Sequence, residues 1–373
     1  MIETTITEYF GEIEEPRREY SIQHKLIDII TISICAVISG ADKWEEIEDY
    51  GHEKKEWLET ILELPNGIPS HDTISRVFQL IDPRQFEKGF QKWISSITKL
   101  KKGEIVAIDG KTQRRSFDNN KSAIHTISAW ARENQIVLGQ LKTEEKSNEI
   151  TAIPELLDSI DVKGTTVTID AMGCQKYIAK KIIDKEANYT LGLKGNQSKT
   201  HKRVKRIFSK DLSKIKHDKY ETKEKKHGRE EERKYRVIPI KNQFEYLKML
   251  GTQEREWIGL KSIVEVESIR KVKNKTSNEK RYYLSSLEAN AEEIANTVRG
   301  HWSIENSLHW SLDVTFREDE SRIRKGYSQE NFVVLRHIAL CLLKREKSSR
   351  RGIKGKRLKA GWSNDYLLKV LKS

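Results

Sequence analysis

At 373 residues, 36% of them apolar, the chain can bury substantial cores, and 34% charged residues give it a heavily solvated surface. Its formal charge of +13 favours polyanionic partners. Three widely spaced cysteines (Cys35, Cys174 and Cys341) without a CxxC pair argue against a disulfide framework or a cysteine zinc site, and the apolar stretch 26–38 is too short to cross a bilayer.

The N-terminus has no basic, apolar leader, so the expectation is a cytoplasmic protein with no membrane partner. Residues 1–100 read as a helical domain. Residues 24–39 read as one apolar, buried helix, and apolar residues recur at helical spacing over 42–53 and 54–63. Leu64-Pro65-Asn66-Gly67 is turn chemistry, and Ser70 is placed to cap a helix running to Leu80. Asp82-Pro83 ends it, and an amphipathic helix over 86–97 follows.

At 101 the period changes to that of strands. The run 104–109 ends on Asp109-Gly110, and 165–170 ends on Asp170-Ala171. Between them lie strands over 122–130 and 135–143 and a helix over 148–160. A helix over 175–185 and a strand over 188–193 come after. The order βββαβαβ, three antiparallel strands feeding βα units, is the ribonuclease-H-like topology of an α/β mixed sheet. Residues 101–200 would form the first part of that core.

Residues 201–290 read as a basic, β-rich insertion. Residues 291–347 would supply the closing helices of the core, and 348–373 a basic, partly mobile tail. The charge is concentrated: 16 basic against 7 acidic residues over 199–236, and 11 against 2 over 344–373.

Two strands that each end on a carboxylate can hold divalent cations between them, and an acid from a helix can complete the site. Asp109 and Asp170 supply the pair. On spacing alone the third is Glu305, Asp313 or Glu318, since His301, Glu305, His309 and Asp313 follow one another at i+4. Three acids suffice for two Mg²⁺ ions, with Mn²⁺ an acceptable substitute. Lys111, Arg114 and Arg115 after Asp109, Lys194 and Asn196 after the fifth strand, and Arg229 in the insertion are candidates for DNA phosphates. Trp130 and Trp257 are candidates for stacking on an unpaired base.

Ile108-Asp109-Gly110-Lys111, Ile169-Asp170-Ala171, Leu193-Lys194-Gly195-Asn196-Gln197 and His301-Trp302-Ser303-Ile304-Glu305-Asn306 through Leu312-Asp313-Val314 together resemble DDE transposases of the insertion-sequence As1 family, the H-repeat-associated type. The resemblance covers nearly the whole chain, including Pro69-Ser70-His71-Asp72-Thr73 in the helical region. It implies Asp109, Asp170 and Glu305 as catalytic and metal-holding residues. It further implies Mg²⁺-dependent cutting and joining of insertion-sequence ends, double-stranded DNA with terminal inverted repeats, target DNA, and a homodimer on DNA. The chain departs from the wider superfamily where Tyr, Arg and Lys are usual on the glutamate helix: Val298, His301 and Leu312 stand there. Arg299, His301, His309 and Lys111 are the candidates to replace them. A metal-dependent nuclease without strand transfer, and a DNA-binding protein with a decayed site, are the alternative readings.

Overall fold

The computed structural model describes residues 2–113, 125–143, 149–226, 228–240, 257–273 and 275–373. The chain opens with helices α1 (Ile2–Phe10), α2 (Leu26–Ser39), α3 (Trp44–Glu53), α4 (Lys55–Leu58), α5 (His71–Leu80) and α6 (Pro83–Ile97). Strands β1 (Ile105–Thr112), β2 (His125–Ala131) and β3 (Ile136–Thr143) follow, then α7 (Glu149–Ser159), β4 (Thr166–Ile169), α8 (Lys176–Asp184) and β5 (Asn188–Leu193). Next come α9 (Ser198–Phe208) and the long strands β6 (Asp218–Lys226), β7 (Arg229–Pro239), β8 (Ser262–Val272) and β9 (Lys275–Ser285). Helix α10 (Ala291–Ser303) runs through a π-helical turn (Ile304–His309) into α11 (Trp310–Val314). Helices α12 (Ser328–Arg345), α13 (Ile353–Trp362) and α14 (Asn364–Leu371) close the chain. Among the described residues no helix is long and apolar enough to cross a membrane.

The strands form one sheet in the order β3-β2-β1-β4-β5-β9-β8-β7-β6. β1 pairs antiparallel with β2 and parallel with β4, and β4 pairs parallel with β5. That half is the ribonuclease-H-like core. Its strands are short, β-branched and buried, as the centre of a sheet covered on both faces requires. β9 joins antiparallel to β5, so the expected insertion extends the core sheet instead of standing apart from it. Strand β6 escaped the sequence reading because Lys219 to Lys226 is charge-rich with no apolar face. Its ladder to β7 supplies the order that burial does not.

In the N-terminal region α2 is buried on nearly every side, so it is the centre of a helical layer and not an amphipathic surface helix. Ser70 accepts the Thr73 N–H at 3.4 Å, and Asp82 accepts the Arg84 N–H at 2.9 Å with Pro83 at the first helical position. The layer is bolted to the core. Asn331 of α12 donates to the Phe78 and Ile81 carbonyls at 2.9 and 3.0 Å, and Gln140 of β3 donates its backbone N–H to Glu87 of α6 at 3.0 Å.

The expected basic tail is instead two packed helices. Ala360, Tyr366, Leu367, Val370 and Leu371 are buried, an amphipathic pattern that the many lysines obscure. Arg357 is only 4% exposed. Its guanidinium donates to the Val37 and Ala41 carbonyls at the end of α2, to the Thr315 carbonyl, and to Asp42. A cation at a helix C-terminus meets the free carbonyls there. Part of the positive charge of this stretch is therefore spent inside the protein.

Candidate active site

The parallel ladder of β1 with β4 stops at Ile108 and Ile169 and delivers two carboxylates to one edge; β1 itself does not end at Asp109, as expected, but continues to Thr112 because β2 goes on pairing with it. Ile108 of β1 lies beside Ile169 of β4, so Asp109 and Asp170 follow at adjacent positions. Gly110 is required by what lies behind it. A Cβ there would come within 2.3 Å of His125 Nε2 and 2.5 Å of Glu149 Oε1. Those two side chains are buried and bonded at 2.6 Å, and Thr112 Oγ1 meets His125 Nδ1 at 2.8 Å.

Helix α10 crosses this edge. Gly300 lets it approach β1: a Cβ there would meet Ile105 Cδ1 at 2.6 Å. The helix then widens into the π-helical turn that carries Glu305, a deviation found most often at functional positions. Ligand atoms of Asp109, Glu305 and His309 all lie within 4.8 Å of one another. His309 Nδ1 is 3.5 Å from Glu305 Oε2 and 3.9 Å from Asp109 Oδ2. Asp170 is outside that trio. Its Oδ1 accepts the Met172 N–H at 2.9 Å and the Gly173 N–H at 3.5 Å, capping its own turn.

The electrostatics suit a cation. Burial pushes the Asp109 carboxyl well above the usual range, and the charges of Glu305 and Asp170 push the same way against His309. Glu305 moves down, chiefly because His309 hydrogen-bonds it, against the effect of its partial burial. A dication between the two acids would favour the charged form of both. Burial pulls His301 down; its Nδ1 lies 3.2 Å from Thr168 Oγ1 on β4.

Lys111, expected at a DNA phosphate, is turned inward. Its Nζ lies 2.5 Å from Asp313 and from Glu318 and 3.6 Å from Asp319. Burial would discharge it, but Glu318 and Asp313 outweigh that and raise it. Burial likewise opposes the Glu318 charge, and Lys111 and Arg336 overcome it. Asp313 goes the other way: burial, with Asp319 and Glu318 nearby, outweighs its bond to Lys111. So Asp313 and Glu318, the two competitors for third acid, are engaged with Lys111, and Glu305 alone of the three reaches Asp109.

The remaining expected DNA residues scatter. Lys194 is exposed just beyond β5, beside the Asp170 loop. Asn196 donates to the Ala171 carbonyl and Gln197 to the Cys174 carbonyl at 3.1 Å, so Asn196 braces the loop after Asp170. Arg229 is exposed at the tip of the β6–β7 hairpin, 3.3 Å from Glu231. Arg299 is held 3.2 Å from both oxygens of Glu224. Arg114 and Arg115 lie outside the described residues. Trp130 and Trp257 are core residues, at 0% and 2% exposure, and cannot reach a base. Trp302 and Trp310, on either side of Glu305 along the chain, are exposed at 41% and 58%; Trp362, at the end of α13, is exposed at 78%. The Arg281 guanidinium lies 5.1 Å from the Trp302 ring centroid. Their positions around Glu305 were readable in the sequence; their exposure was not.

A family model described as "Transposase DDE domain" matches residues 100–342, and one described as "DDE_Tnp_1-associated" matches 7–94. The chain is 46% identical to "Putative transposase YncI" of Escherichia coli O157:H7, over 99% of this chain and 95% of that one. It is 42% identical to "H repeat-associated putative transposase YhhI" of Escherichia coli K12, over 98% and 97%. A solved piggyBac transposase synaptic complex with hairpin DNA aligns with all of this chain and 79% of its own, at 11% identity and a TM-score of 0.44, too loosely to bear on the site.

Proposed function

The chain belongs to the DDE transposases, and from that premise we propose that it cuts insertion-sequence ends and joins them to target DNA. The observation that carries this is the meeting of Asp109 and Glu305, 196 positions apart, with Asp170 on the neighbouring strand end. Asp109, Asp170 and Glu305 would hold the divalent cations, Mg²⁺ or Mn²⁺, two to a site. When bound, such ions lower the pKa of an attacking water and stabilise the charge that builds on the phosphate.

The donor set fits that role. It is rich in carboxylate, partly buried, and strained by like charge until a cation arrives. In the first step the water oxygen bonds to phosphorus, the bond to the 3′ oxygen breaks, and a free 3′ hydroxyl is left. In the second, that hydroxyl attacks a phosphorus of target DNA and a target 3′ oxygen leaves. The same carboxylates serve both steps. Lys194 and Arg229, both exposed, are proposed phosphate contacts; Lys111 and Asn196 position the loops around the acids. The working form on DNA would be a homodimer engaging two inverted repeats, in the cytoplasm.

The test is cleavage and strand transfer on DNA carrying the element's ends, with Mg²⁺. Asp109→Ala, Asp170→Ala and Glu305→Gln should each abolish both while leaving end binding. Cleavage without joining would leave a nuclease, and binding without cleavage by the unmodified chain would leave a decayed site.

A further inference from the structure

His309 has no part in a carboxylate-only site, yet it is placed as closely as Glu305. It sits four residues beyond that acid on the same π-helical turn, 5% exposed, with Nδ1 facing both Glu305 and Asp109. Its other ring nitrogen, Nε2, is buried and has no hydrogen-bond partner among the described residues. A buried imidazole with one nitrogen facing two acids and the other unpaired is costly unless something completes it.

A cavity of about 10 Å³ lies against His309, lined also by Ser128, Thr126, Glu318 and His337. That is about the least space that admits a single water. His337, whose Nδ1 is likewise unpartnered, shares the wall. One water there could accept from the His309 Nε2–H, which is what a metal-bound histidine needs of its far nitrogen.

We infer that His309 is a metal ligand through Nδ1, so that one cation is held by Asp109, Glu305 and His309 as a mixed nitrogen–oxygen set. The inference rests on the metal reading proposed above. It changes what the site selects. Imidazole adds little for Mg²⁺, which prefers oxygen, and favours first-row transition ions. The histidine at this position thereby gives the site a ligand that a set of three acids lacks, and Asp170 is left to serve from the adjoining edge.

The probe is Mn²⁺ alone, added to the full chain and read by pulsed EPR and by titration. The wild type should show nitrogen coupling to the bound manganese, and ¹⁵N-histidine labelling should change that coupling. His309→Gln should lose it and bind Mn²⁺ about tenfold or more weakly, the lower end of what disturbing a ligand's support costs. His301→Gln should keep it. The labelled wild type decides whether any histidine ligates even if His309→Gln fails to fold. Manganese binding that Asp109→Ala abolishes, but with no nitrogen coupling in the wild type, would overturn the inference and leave the carboxylate site standing. Coupling that survives His309→Gln would also overturn it. Manganese binding indifferent to Asp109→Ala would sink both readings.

Discussion

In β1 and β4 the four residues leading up to Asp109 and Asp170 are all buried, whereas β8 and β9 run from buried residues at one end to exposed ones at the other. One sheet thus contains a rigid platform and a long arm. The platform is covered by helices, and it presents acids at its edge. The arm is laced with exposed ion pairs such as Lys225–Glu230 at 2.7 Å and Lys223–Glu232 at 3.6 Å. Its apolar packing is at the base, where Tyr235, Val237, Val264 and Val266 pack with Ala291, Ile294, Ala295 and Val298 of α10, and farther out Arg299 of the same helix holds Glu224 of β6. The difference teaches that a strand ladder is stiff only where side chains are packed across it. On the proposed function, positioning chemistry would fall to the platform and gripping DNA to the arm.

The sharpest way to break this division is Asp109→Ala. It should abolish cleavage and leave DNA affinity nearly intact, as a filter-binding assay beside a cleavage assay would show; equal loss of both would merge the two roles. Next is Lys111→Met, which strips the cation from buried Glu318 and its neighbours. It should cost about 3–5 kcal/mol in denaturant unfolding. Lys225→Met, in an exposed pair on the arm, should cost under about 1 kcal/mol. Similar costs would mean the arm is as tightly built as the platform.

Acid should separate the regions too. Burial works against the Glu346 charge, but bonds from the Ser348 and Ser349 N–H groups and the Tyr366 hydroxyl outweigh it and hold the group down to about 2. A depressed carboxyl adds stability above its unfolded pKa of 4.5 and loses it as pH falls toward 2. The C-terminal helices should therefore loosen across that window, by at most about 3 kcal/mol at 1.36 per pH unit. Glu346→Gln should flatten the transition seen by hydrogen exchange in α13 and α14. A last effect, on binding and not on stability, is expected at Trp302. Trp302→Ala should weaken binding of single-stranded ends by about 1–3 kcal/mol if a base stacks there, and not at all if the ring serves only Arg281.

Much of the platform was legible from sequence because β1 opens on the apolar run Ile105–Ile108 and β4 is a short, β-branched, buried strand, each followed by its aspartate. Burial on both faces writes itself into composition. The arm was half legible: β7 to β9 carry enough valine and tyrosine near their base, but β6 does not. Glu305 was not separable from Asp313 and Glu318 by spacing, and only the family resemblance favoured it. The structure shows why spacing failed. Lys111 gathers the other two acids, a contact between residues about 200 positions apart that no local pattern encodes. Buried cations misled in the same way. Arg357 and Lys356 read as surface charge, yet Arg357 meets carbonyls of distant elements and Lys356 meets those of Leu343 and Glu346 at the end of the preceding helix.

A wide turn inside a helix is an extra residue that the rest of the fold has learned to accommodate. Such a turn absorbs its extra residue locally, so removing one between Glu305 and His309 would restore a regular helix and leave the faces beyond it in register. Those two residues would then stand three apart instead of four and no longer meet Asp109 together, while Asp313 would keep Lys111. The regular helix is the easier one to form, so random loss in this stretch would favour a smoother protein with a broken site. The turn is thus a place where stability and function pull apart, and where degenerate copies of such a chain should show their first silent failures.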